Sequence, residues 1–188
     1  MTPTQSEPAR PTSPAMSGNN GRKIEAIARQ LAAGIGCMFL TAKEFQRRLR
    51  FLKEGERVMR ANACYNNVRN TIYECIGRGS QTKCDLLVAT RRNGQLLFVL
   101  IEVKSQSDQG SMQDKLHFTV DSLKNTNFEK TQTLVSDTVI CVPMLLYWSA
   151  PLPKGFSEAM LGYLKYDHGF PIVELSGFQQ ALHDVLGS

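Results

Sequence analysis

Two apolar runs, "DLLVAT" at residues 85–90 and "QLLFVLIEV" at residues 95–103, flank the dipeptide Asn93-Gly94. No other feature of the chain constrains its fold as tightly. Asn-Gly tolerates the left-handed backbone of a two-residue turn, whose twist matches that of two antiparallel strands. With Asn93 and Gly94 as the loop, Arg92 pairs with Gln95, and every later pair of residue numbers sums to 187. Asp85 then stands opposite Glu102, the two Cβ atoms roughly 4.5–5.5 Å apart on one face. Lys104, two residues further on, points the same way. Three ionisable side chains are thereby expected at the open end of a buried hairpin.

Two opposed carboxylates repel each other, and burial strengthens the repulsion. A divalent cation offsets it: Mg²⁺ binds through one or two carboxylates and keeps several waters, and Mn²⁺ can substitute for it. Asp85 and Glu102 are the expected metal ligands. Lys104 would orient or deprotonate a water, or stabilise charge developing on a phosphate.

The elements around the hairpin can be read by periodicity. Residues 1–20, "MTPTQSEPARPTSPAMSGNN", hold four of the eight prolines and are expected to be a disordered tail. Residues 21–188 read as one domain. "RKIEAIARQLAA" (22–33) is helical, ended by Gly34 and Gly36. A second helix is expected from about 42 to 65, with Phe45, Leu49, Leu52, Met59 and Ala63 on one stripe and Glu56 among them. "TIYECI" (71–76) reads as a strand, "GRGSQTK" as a loop, and about 115–135 as a helix. "TVICVPMLLYW" is a buried strand in which Pro143 marks a bulge or an edge. A short helix near 157–164, a strand "PIVEL" and a helix "FQQALHDVL" form an appended tail. The class is α/β: helix, three strands, helix, strand around a small mixed sheet.

The stretch from Asp85 through Glu102 to Lys104 resembles the signature of the PD-(D/E)xK, or restriction-endonuclease-like, nuclease superfamily. The resemblance spans about residues 42–148, and Cys84 stands where the family name has Pro. It implies a core of helix, three strands, helix and strand. It further implies a Mg²⁺-dependent phosphodiesterase acting on DNA more than RNA, in which Lys104 assists attack of water. An acid on the first core helix often completes the metal site in that family; Glu56 is the candidate, with Glu54 second and Gln106 a further polar position. Lys83, Arg78, Arg91 and Arg92 flank the expected site and are candidate phosphate contacts. His117 is a candidate second base, and Tyr147 and Trp148 are expected in the core. A homodimer is allowed for, since such nucleases often dimerise to cut two strands. The competing reading is a nuclease-derived domain that no longer cuts and binds nucleic acid or protein instead.

Composition bounds these readings. Residues 1–104 carry 17 Lys/Arg against 8 Asp/Glu, whereas residues 105–188 carry 5 against 9. A basic half suits a polyanionic partner, or else is simply a solvated face; the run Arg47, Arg48, Arg50 by itself reads as a wet helix face. Five scattered cysteines without a CxxC pair argue against a disulfide framework or a zinc site, so cytoplasm or nucleus is expected. No apolar stretch reaches the roughly 18 residues needed to span a membrane.

Overall fold

The structure, a computed structural model, describes residues 15–64, 83–106, 112–124, 139–151 and 154–187. Helix α1 (Ala15–Gly34) leads to a two-residue strand β1 (Met38–Phe39) and helix α2 (Ala42–Leu49). Strands β2 (Arg57–Cys64), β3 (Lys83–Arg92) and β4 (Gln95–Gln106) follow, then helix α3 (Met112–Lys124) and strand β5 (Val139–Ser149). Helix α4 (Glu158–Leu164), strand β6 (Ile172–Glu174), a 3₁₀ turn (Leu175–Gly177) and helix α5 (Phe178–Leu186) complete the order. The six strands form one mixed sheet in sequence order. β2, β3 and β4 are a consecutive antiparallel meander; β4 to β5 and β5 to β6 are parallel. The α/β class expected from the sequence is what folds.

Side-chain alternation divides the core between the two faces. On one face Leu97, Val99, Ile101 and Val103 of β4 meet Ile24, Ala28 and Ala32 of α1 and Phe178, Leu182 and Leu186 of α5. On the other, Leu96, Phe98 and Leu100 meet Phe45 and Leu49 of α2. Leu145 of β5 packs there against Leu116 and Val120 of α3 and Met160 and Leu164 of α4. β4, apolar on both faces, is the centre of the molecule. α2 begins with a capping box, in which Thr41 Oγ1 accepts from the Glu44 N–H while the Glu44 carboxylate accepts from the Thr41 N–H at 2.9 Å. Pro143 lies on β5 before its pairing with β6 begins at Leu145, so its missing N–H falls on an open edge.

Several expectations are corrected. The helix expected over 42–65 ends at Leu49, and residues 57–64 form β2 instead. Gly55, at φ 74°, breaks the run. Val58 and Met59 then face opposite sides of the sheet, both buried, which mimics a helical stripe when read as sequence. α1 starts at Ala15, just after the last proline of the tail, rather than at residue 22. The C-terminal segment is not an appendage, because β6 extends the sheet and α5 seals the α1 face. The strand expected at 71–76, the loop after it and the helical stretch 125–135 lie outside the described residues. Cys37, Cys84 and Cys141 are buried, and burial pushes the Cys37 thiol up to about 11. Among the described residues no helix is long and apolar enough to cross a membrane.

Candidate active site

The hairpin register places the site. Asn93 at φ 51° and Gly94 at φ 75° make the turn, and the pairs run from Arg92–Gln95 to Leu86–Ile101 as the sequence predicts. There the ladder stops. Asp85 does not complete a backbone pair with Glu102; its Oδ2 accepts the Val103 N–H at 2.7 Å. The carboxylate takes the place of a strand carbonyl in the gap where β3 and β4 part. β4 continues past this point because β5 holds its other edge, with Glu102 in register with Leu145 and Lys104 with Tyr147.

Lys104 Nζ lies 2.5 Å from Glu102 Oε1, and about a fifth of each side chain is exposed. Burial pushes the Glu102 carboxyl above the ordinary glutamate range. Lys104 opposes that rise, while Asp85 and, more weakly, Glu25 add to it. Burial thus favours the neutral carboxyl, and a second cation beside it would favour the carboxylate.

Glu25 of α1, for which the sequence raised no expectation, lies within electrostatic reach of the group. Its carboxyl is also raised, first by burial and then by Asp85, against the attraction of Arg29, Arg22 and Lys104. A signal for it was present: Glu25 is the lone acid in the twenty residues of α1 and follows Ile24, which is buried against the sheet.

Glu56 and Glu54 are placed elsewhere. Glu56 sits in the turn before β2, where Oε1 takes Arg48 Nε at 2.5 Å and Oε2 takes the Lys53 N–H at 3.2 Å. Burial would raise its carboxyl, but the Arg48 and Lys53 hydrogen bonds and charges outweigh that and hold it low. The Glu54 carboxylate accepts the Asn93 and Gly94 N–H groups and clamps the hairpin turn. Neither is grouped with Asp85, since both belong to the turn end of the hairpin.

The same geometry relocates the arginines. Arg91 donates to Leu52 O at 3.1 Å and Gly94 O at 3.0 Å, and exposed Arg92 lies beside Gly187. Six residues of strand, roughly 20 Å, separate Arg91 from Asp85, so these two do not flank the site. Lys83 opens β3, paired in register with Cys64, and Arg78 falls outside the described residues. Gln106 is buried, and its backbone oxygen accepts the Ala150 N–H at 2.8 Å. The His117 ring rests on Tyr163, centroids 4.3 Å apart, as part of the helix packing. Tyr147 and Trp148 are half-buried and pack on the core clusters.

Among the described residues no three His, Cys, Asp or Glu side chains stand close enough to hold a metal ion together. Asp85 and Glu102 offer a pair of hard oxygen donors, a number that Mg²⁺ accepts by retaining waters. A cation beside Glu102 would offset the burial and the Asp85 charge that raise its carboxyl, so the donor set fits such an ion. Comparison with family models, with curated proteins and with solved structures found no match.

Proposed function

We propose that the chain is a metal-dependent phosphodiesterase acting on nucleic acid, DNA before RNA, with a restriction-endonuclease-like core. The observation that carries this reading is the placement of Asp85, Glu102 and Lys104 where β3 and β4 part, with Glu25 of α1 within electrostatic reach. The order α2, β2, β3, β4, α3, β5 supports the core reading. Asp85 and Glu102 would hold Mg²⁺ or Mn²⁺. When bound, the ion supplies an acidified water and offsets charge on the phosphate. Lys104 Nζ, no longer needed to neutralise Glu102, donates to a phosphodiester oxygen and steadies the charge that builds there. The Glu25 carboxyl, raised first by burial and then by Asp85, would take up or return the proton of the attacking water.

A specific observation favours a second reading, a nuclease-derived domain that binds without cutting. Asp85 Oδ2 and Lys104 Nζ already have partners within the chain. Incubation of labelled single- and double-stranded DNA with Mg²⁺ or Mn²⁺ separates the two. The hydrolase reading expects cleavage by the wild type and its loss, by at least about 10²-fold, in Asp85→Ala and Lys104→Ala. Equal activity in all three, or none in the wild type, would dismiss it.

A further inference from the structure

We infer that the outer face of α2, with Phe51 at its end, is a binding strip for single-stranded nucleic acid; this rests on the reading above only for the choice of polyanion. α2 buries Phe45 and Leu49. At 100° per residue the direction opposite those two is taken by Lys43, Arg47 and Arg50, at spacings of four and three. All three are exposed. They form one stripe about 10 Å long along the helix axis. Like charges at that spacing destabilise an isolated helix, and this one has only eight residues.

The acids that would answer them are committed. Glu44, which also feels Arg47, is held by the Thr41 N–H and Oγ1 in the capping box. Glu56 is held by Arg48 and the Lys53 N–H, and Glu54 by the hairpin turn. The stripe keeps its excess positive charge.

Phe51 follows directly after Arg50. Its side chain is 75% exposed, while its N–H is fixed to Arg48 O at 2.9 Å. A large ring left in water beside a row of cations is the combination that grips single strands, with phosphates on the cations and a base on the ring. The Phe51 end of the strip lies toward the turn of the hairpin, since the backbone oxygen of the next residue, Leu52, accepts from Arg91 at 3.1 Å. α2 packs on Leu87 and Ala89 of β3 and Leu100 of β4. A row of three cations about 10 Å long, ended by one exposed ring, matches an extended chain of phosphates with a base at its end rather than a flat anionic surface.

Binding is measured without divalent cations in the full chain carrying Asp85→Asn, so that cleavage does not enter. The probes are a labelled oligothymidine, a DNA duplex, and vesicles of phosphatidylserine and phosphatidylcholine. Lys43→Gln/Arg47→Gln/Arg50→Gln keeps helix propensity and touches no buried atom, and an unchanged melt confirms its fold. It is expected to weaken oligothymidine binding by about tenfold or more and to lower the salt slope by about 2. Phe51→Ala is expected to weaken single-strand binding by about fivefold or more and duplex binding far less. Wild-type affinity in the triple variant, equal loss on both DNA forms in Phe51→Ala, or capture by vesicles in preference to DNA would overturn the inference. Stripe-dependent binding by a chain whose wild type never cleaves would remove the hydrolase reading and leave the strip standing.

Discussion

At the scale of single residues, the site turns on which glutamate serves it. Glu56 is the lone acid on what reads as a helical stripe, yet it is tied to Arg48 and the Lys53 N–H, whereas Glu25 feels Asp85 and Lys104. Glu25→Gln is thus expected to lower metal-dependent DNA cleavage by about 10²-fold. Glu56→Gln should leave turnover unchanged and cost at most about 1 kcal/mol in a denaturant titration, as exposed ion pairs do. Glu102 makes a pH prediction. Its folded pKa is raised, so its contribution to stability is complete at acid pH and is lost as pH rises through that raised value. A cation at the site removes this penalty. Melts with and without Mg²⁺ should coincide in acid and separate increasingly as pH climbs through and beyond the ordinary glutamate range. Separation in acid alone would contradict the assignment. Asp85, Glu102 and Lys104 were legible because a two-residue turn converts spacing into register. Glu25 carried only the weak signal of a lone acid beside buried Ile24, since which acid of a distant helix comes within reach of a strand end depends on helix packing that no local pattern encodes.

At the scale of elements, the hairpin was readable and the segment before it was not. Asn93-Gly94 enforces its turn through backbone conformation alone, and the register predicted from it holds to Leu86–Ile101. β2 was hidden because a strand buried on both faces loses its alternation, so Val58 and Met59 read as part of a helix. Similarly, α5 reads as an amphipathic helix from sequence, but only the fold reveals that its apolar face closes over α1. The turn has its own clamp in Glu54, which accepts two of its N–H groups. Glu54→Ala is expected to destabilise the protein by about 1–2 kcal/mol, read from the urea midpoint, without affecting metal binding at the far end of the hairpin. A loss of metal binding as large as that of Asp85→Asn would show that the turn and the site are not separate units.

At the scale of the whole molecule, charge and fold divide along the same line. The basic residues 1–104 supply α1, α2 and the hairpin, and hence every residue of the candidate site and of the α2 strip. The acidic remainder supplies the strands and helices that complete the sheet and close over it. The proposed nucleic-acid partner would be attracted to the basic part of the chain and not to the acidic remainder. What happens there depends on whether two carboxylates at the end of a buried hairpin share a hard cation. Anomalous diffraction from crystals soaked in Mn²⁺ tests this most directly. The account predicts a peak lying between the carboxylates of Asp85 and Glu102 and lost in Asp85→Asn; density there that is absent in the wild type, or that appears at Glu56 instead, would contradict it.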